Sequence, residues 1–432
     1  MEFGMKANDA FRKFLLIWVG QFVASIGSGL TAFALSVYVF RITNSASAVS
    51  LTILLAFLPT ILLNPLGGVL ADRFDRRLMM ICGDLFSAFG LLYMLIYYCM
   101  ESLGLFQIYI GVTISGIFVA LLDPAYKATV SDLLNKDDYA RASGMMQLAA
   151  SAKYLLSPFI GGLLMTVTDI GTVLIIDIST LALTITIVAC IRKRIASGIR
   201  QRTRIQLFKD LKEGWKAVAC DRGVLALVAL ISVATFYLGL LQTLISPMVL
   251  SFSDSKALGM IESVSAIGML LGSAVIGILP VKRYVRALAG GFCIAGISIA
   301  FFGISTSIII ITAAGVLFFC TLPYINTSAD VMIRCKISAE LQGRAWGLIS
   351  ILSQLGYVLA YASAGLLADK IFNPLLLEGG WLAGTIGKLI GVGPGRGIGF
   401  MFILSGLSVI ILGLVIWRSK TIKSMEHVAK TG

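Results

Sequence analysis

Three features of the sequence predict an all-α polytopic membrane protein, with twelve transmembrane helices in two pseudo-symmetric six-helix bundles. Hydrophobic residues fill 58% of the 432 positions and charged residues only 13%, against roughly 25% charged in a soluble domain. The apolar residues fall into about a dozen runs of about 20, the length at which a helix crosses a bilayer. Lysine and arginine concentrate in alternate connecting segments. The runs do not alternate polar with apolar, which excludes a transmembrane β-barrel.

The spans follow in order. The first, 14–40, stays apolar to Phe40, too long for the core of a signal peptide, and is expected to be retained. The second, 48–70, ends in Gly67 and Gly68, directly before the charged run Asp72, Arg73, Asp75, Arg76 and Arg77. The third is 79–98. The fourth, 105–130, carries Asp123, Pro124 and Lys127 near its end. The fifth, 144–167, contains Lys153, Pro158, Gly161 and Gly162, and only the tight turn VTDIG separates it from the sixth, 171–190. The second set runs 223–247, 258–280, 287–304, 308–330, 345–367 and 398–417. Between its last two spans lies an oily segment, 368–397, in which Trp381, Leu382, Ile386, Leu389 and Ile390 are expected to form a short helix lying in the membrane interface.

Charge sets the orientation. With the N-terminus in the cytoplasm, 28 of the 35 lysines and arginines lie in cytoplasmic segments, as the positive-inside rule requires. The outer segments hold only Arg41, Lys256, Lys370, Lys388 and Arg396. The net charge of +13 is thus expected to meet anionic lipid headgroups and not nucleic acid. Expected domains are an N-terminal bundle (1–190), a basic cytoplasmic linker (191–222), a C-terminal bundle (223–417) and a cytoplasmic tail (418–432). In the linker, Leu207, Phe208, Leu211, Trp215 and Val218 recur at helical spacing, with Lys209, Lys212 and Lys216 between them, which predicts an amphipathic surface helix.

The halves echo each other. Arg141 opens "RASG" and Arg344 opens "RAWG"; each is followed, after an equal interval, by a small residue and Gly-Leu-Leu. Weak internal repetition of this kind marks a two-bundle transporter. Other classes lack support. One histidine and seven scattered cysteines, without CxxC spacing, give no zinc or haem site. The ATP-binding loop GxxxxGK[ST] is missing, as is any nucleophile with an acid–base set. No enzyme activity, cofactor or metal is expected.

Residues 68–77, "GVLADRFDRR", resemble the signature loop between helices 2 and 3 of the major facilitator superfamily. Asp75 stands where that family commonly has glycine. The opening "WVGQFVASIGSGLTAFALSVYVF" and the late "NPLLLEGGWLAGTIGKLIGVGPGRGIG" resemble its macrolide-efflux branch more narrowly. The resemblance covers nearly the whole chain and implies the major facilitator fold. It further implies a secondary exporter of an amphipathic small molecule, drug- or macrolide-like, working by alternating access in the plasma (inner) membrane of the cell, with both termini cytoplasmic. Protons are the expected coupling ion and sodium the alternative; a monomer is expected. Export of an endogenous siderophore or lipid-like compound is the second reading, and a receptor or enzyme on a transporter scaffold the third.

The resemblance also implies a conformational latch. Gly67 and Gly68 would let helix ends approach, Asp72 would meet the start of helix 11 near Arg344, and Arg73, Arg76 and Arg77 would face headgroups and cytoplasmic acids. Many proton-driven relatives carry an arginine in helix 4; none is present here, so either Lys127 or Lys153 substitutes, or the carrier uses sodium or runs as facilitated flux.

Ionisable residues inside spans are costly and mark function. The candidate coupling groups are Asp123, then Asp177, with Lys127, Lys153 and the shallower Asp84. Asp123 and Lys127, four apart, share a helix face. Lys153 is too deep to snorkel and needs a carboxylate from Asp123 or Asp177. A purely structural ion pair is the competing reading. Glu262 stands near the outer start of the eighth span, where exposure is expected. Gln21, Gln147, Gln242 and Gln354, with Phe236 and Tyr237, are candidates for an amphipathic substrate chamber, against plain helix–helix contacts. Pro124, Pro158, Gly161 and Gly162 are expected to bend and pack helices.

Overall fold

A computed structural model describes residues 2–134, 138–192, 212, 214–216, 218–279, 281–337 and 339–431. It contains twelve helices long and apolar enough to cross a membrane. They are α1 (Glu2–Thr43), α2 (Ala46–Arg73), α3 (Arg76–Cys99), α4 (Leu105–Leu133), α5 (Tyr139–Val167), α6 (Ile170–Arg192), α7 (Arg222–Leu250), α8 (Ser255–Ile278), α9 (Tyr284–Ile304), α10 (Ile308–Arg334), α11 (Ala339–Leu367) and α14 (Arg396–Arg418). A π-helical turn, Ala368–Phe372, and the short α12 (Asn373–Leu376) and α13 (Gly387–Ile390) lie between α11 and α14; α15 (Lys420–Thr431) ends the chain. Only Thr168 and Asp169 separate α5 from α6.

The chain divides into two compact units, one of residues 1–42 and 51–205, the other of 43–50 and 206–432. In the first, α3 packs on α4 and α6; in the second, α9 packs in the same way on α10 and α14. The remaining pairings repeat as well. Gly116 of α4 meets the Ala56 carbonyl of α2, and Gly268 of α8 meets the Val316 carbonyl of α10. Gly161 of α5 lies against the Phe33 ring of α1, and Gly356 of α11 against the Ser232 carbonyl of α7. In lipid no hydrophobic effect drives helices together, so small residues that let backbones approach carry the association.

Side chains capable of accepting hydrogen bonds start several helices. Asp75 accepts the Arg77 N–H at the start of α3, Asp221 those of Gly223 and Val224 at α7, and Asp254 that of Ala257 at α8. These satisfy amides that have no intrahelical partner. Pro124 and Pro158 both lie inside helices that continue through them.

The 368–397 segment holds the π-turn, α12 and, over the expected short helix, only the four-residue α13 at its end, with turns before it; Trp381 and Leu389 project, each 85% exposed. Four glycines with positive φ, Gly379, Gly391, Gly393 and Gly395, break any longer helix there. In the C-terminal tail, α15 docks on α7, α9 and α10 with Ile422 and Met425 buried. In the linker, Leu207, Phe208, Lys209 and Leu211 lie outside the described residues; Lys212, Trp215 and Lys216 are exposed and Val218 is buried.

Candidate functional site

The first unit holds a polar cluster deep among apolar side chains. On α1, Gly27 and Thr31 are one turn apart and present the same face to Asp177 of α6. The Thr31 hydroxyl donates to Asp177 Oδ2 at 2.6 Å. A Cβ on Gly27 would lie 2.8 Å from Asp177 Oδ1 and would also strike Thr180, so the bare glycine makes room for the carboxylate. Asp177 is 2% exposed, and its Oδ1 has no hydrogen-bond partner among the described residues.

The other side of α1 meets α5. Ser157 Oγ donates to the Ile26 carbonyl at 3.0 Å, and a Cβ on Gly29 would stand 3.0 Å from Lys153 Cγ. Lys153 is close enough to Asp177 for their charges to interact. Asp84 of α3, likewise 2% exposed with an unpartnered Oδ2, also lies within electrostatic reach of Asp177. Two buried acids and one half-buried lysine therefore lie within electrostatic reach of one another, where unpaired charge is strongly disfavoured.

Of the two carboxylates offered to Lys153 by the sequence, the structure brings up Asp177. Asp123 pairs with Lys127 at 2.7 Å, both side chains more than half exposed, so the burial argument that ranked it first applies instead to Asp177. Asp84 is not the shallow loop group expected but a buried one. Thr31 was missed; its only signal is a hydroxyl one turn beyond a glycine in an apolar span.

In the charged turn, Gly67 and not Gly68 permits a close approach: its Cβ would lie 2.7 Å from the Ala120 carbonyl, whereas one on Gly68 would meet nothing within 4 Å. Arg76 bridges to Asp132 at 2.7 Å and donates to the Ala71 and Ala128 carbonyls. Arg73 is exposed. Arg77 is buried, against the expectation that it faces headgroups; it falls on the inner face of α3, beside the core cluster of Ile17, Ala71, Met80 and Ala125. The side chains of Asp72 and Arg344 lie outside the described residues.

Asp75 emerges as the organising acid of this turn. Besides capping α3 it accepts Arg192 Nε at 2.8 Å. Burial pushes its carboxyl up, but the Arg192 and backbone hydrogen bonds outweigh this and hold it below the ordinary aspartate value. Asp221, at the start of α7, is likewise held low: burial is outweighed by the Gly223 N–H and by Lys336 at 3.2 Å.

In the second unit, the Tyr237 hydroxyl shares a 2.6 Å hydrogen bond with Ser408, and Tyr361 donates to Gln242 Oε1 at 2.7 Å. Phe236 stands edge-on to Tyr237 at 5.4 Å. The two hydrogen bonds join α7 to α14 and to α11, and the ring pair lies within α7. Gln147 is exposed and Gln354 half-buried; Gln21 of the first unit is buried, with Nε2 unpartnered. Glu262 is half-buried and bonded to Ser246, not exposed. Asp369, in the π-turn, accepts Ser45 Oγ at 2.7 Å and the N–H groups of Ala46 and Ser47 at 3.1 and 2.8 Å. It thereby caps the first turn of α2, which is part of this unit.

The sequence profile of the Major Facilitator Superfamily matches residues 17–361. Macrolide efflux protein A of Streptococcus pyogenes is 24% identical over 427 residues, covering 98% of this chain and 99% of that protein. Enterobactin exporter EntS of Shigella flexneri is 26% identical over 161 residues, covering 37% and 38%. Among solved structures, the nucleoside transporter NupG superposes with a TM-score of 0.70 at 10% identity, covering 94% of this chain and all of that one.

Proposed function

Because the chain belongs to the Major Facilitator Superfamily, and is therefore a multi-pass membrane transporter and not an enzyme, we propose that it exports an amphipathic small molecule by alternating access, driven by a cation gradient. The macrolide-efflux relative, matched end to end, supports efflux and a bulky amphiphile as the substrate class. The single observation that carries ion coupling is the Asp177 carboxylate, buried at the first unit's centre between Thr31 and the charge of Lys153. A carboxylate so placed gains or loses an ion when α1 or Lys153 shifts by a fraction of a helical turn, which links an ion's passage to a change of shape. The Asp123–Lys127 pair, joined at 2.7 Å within α4, is the weaker candidate because each group already has the other as its partner. We place it in the plasma membrane; the basic residues of alternate segments support cytoplasmic termini.

A second substrate class, an endogenous siderophore, rests on the partial match to the enterobactin exporter. Thermal-shift screening of the purified carrier with macrolides, catecholate siderophores and lysolipids separates the two. Any ligand that stabilises it should then be extruded from proteoliposomes under an imposed pH or sodium gradient. Absence of gradient-driven movement for every stabilising ligand would refute export.

A further inference from the structure

Arg396 opens α14 and is 5% exposed. Its Nη2 donates to the Gly303 and Ile304 carbonyls at 2.9 and 3.3 Å. Those are the last carbonyls of α9, where the helix dipole is negative and favours a cation. Yet Nε and Nη1 are both fully buried without a hydrogen-bond partner, and no carboxylate pairs with the guanidinium among the described residues. Two neutral carbonyls and a partial dipole charge leave most of a permanent positive charge uncompensated in a dry setting, where cations are normally paired.

Backbone without a side chain packs against this guanidinium at Gly391. A Cβ on Gly391 would lie 3.4 Å from Nε, and one on Gly393 would meet nothing within 4 Å. Both glycines have positive φ, at 93° and 126°, so side chains are disfavoured there. Because Arg396 begins the last membrane span, it stands at headgroup level whichever way the chain is oriented. Trp381 and Leu389 project from the same segment, as interfacial anchors do.

We propose that Arg396 anchors an oxyanion site at this edge of the second unit, closed over in this structure by the backbone at Gly391, which takes a phosphate group through Nε–H and Nη1–H when that backbone moves aside. Arginine suits phosphate because its donors are fixed, planar and always charged. The phosphate comes either from a lipid headgroup or from free solution. The site stands apart from the coupling cluster of the first unit and does not depend on the transported compound.

The test uses full-length carrier stripped of lipid. One arm titrates it with phosphatidylglycerol, against phosphatidylcholine as control, and counts retained lipid by native mass spectrometry; the other adds inorganic phosphate and follows thermal unfolding. The expected result is one saturable phosphate-bearing ligand in one arm, weakened about tenfold or more by Arg396→Gln and less by Arg396→Lys. Response to phosphatidylglycerol alone assigns a lipid; response to inorganic phosphate assigns a free anion. No saturable binding to the wild type in either arm, or binding undiminished in Arg396→Gln, overturns the proposal. If Arg396→Gln does not fold, the wild-type stoichiometry and the Arg396→Lys comparison decide: undiminished binding in Arg396→Lys then counts against it.

Discussion

Thr31 and Asp177 are 146 positions apart in the chain, yet a 2.6 Å hydrogen bond joins them in the interior of the first unit. A buried hydrogen bond to a charged group contributes about 1.5–3 kcal/mol. Thr31→Val keeps the shape and removes the donor, so it should lower the unfolding temperature and impair gradient-driven transport together. Thr31→Ser should restore both. Equal stability and transport in Thr31→Val would show that the bond does no more than fill space.

Neighbouring glycines at the end of α2 should behave oppositely. A methyl group on Gly67 would press against the Ala120 carbonyl and Pro124, while one on Gly68 meets open space. Gly67→Ala should destabilise by about 1–3 kcal/mol, as overpacking does. Gly68→Ala should be neutral or stabilise by up to about 1 kcal/mol through helix propensity. Thermal unfolding of the two single variants in detergent checks the contrast.

The Asp75–Arg192 pair carries a pH signature. The folded carboxyl titrates below its ordinary value, so its contribution is complete above the unfolded pKa of about 3.9. That contribution is lost as pH falls through the folded value. Being partly exposed, the pair is worth only about 0–1 kcal/mol. Wild type should therefore be slightly more stable than Asp75→Asn at pH 7, with the gap closing below about pH 4. A gap that widens on acidification would contradict the assignment.

Asp369 satisfies two orphan amides and a hydroxyl at the start of α2. Removing such a cap costs about 1 kcal/mol. Asp369→Ala should lower the unfolding temperature, with Asp369→Asn in between because its carbonyl still accepts. Hydrogen exchange at the Ala46 and Ser47 amides should rise in the alanine variant.

The fold was legible because bilayer thickness leaves a crude, strong signal: long apolar runs, with basic residues on one side. That signal located all twelve crossings and even the two-residue join at Thr168–Asp169. The site was legible only in part. Composition flags a buried acid, but depth along a helix does not reveal which side of the helix faces inward, so Asp123 and Asp177 looked alike. Rotation decides between them: Asp177 turns toward Gly27 and Thr31, while Asp123 pairs with Lys127 on its own helix. Partners far apart in sequence, such as Ser45 with Asp369 or Asp75 with Arg192, leave no local pattern. The helix α15 escaped notice because its apolar face, Ile422 and Met425, is short and set among charges.

Gradient-driven flux in proteoliposomes, compared for wild type, Asp177→Asn and Asp123→Asn with the same stabilising substrate, tests the coupling claim most directly. Asp177→Asn should still bind substrate but lose its response to the imposed ion gradient, while Asp123→Asn retains most of it. Undiminished gradient-driven flux in Asp177→Asn, or its loss in Asp123→Asn alone, would contradict a coupling site centred on Asp177.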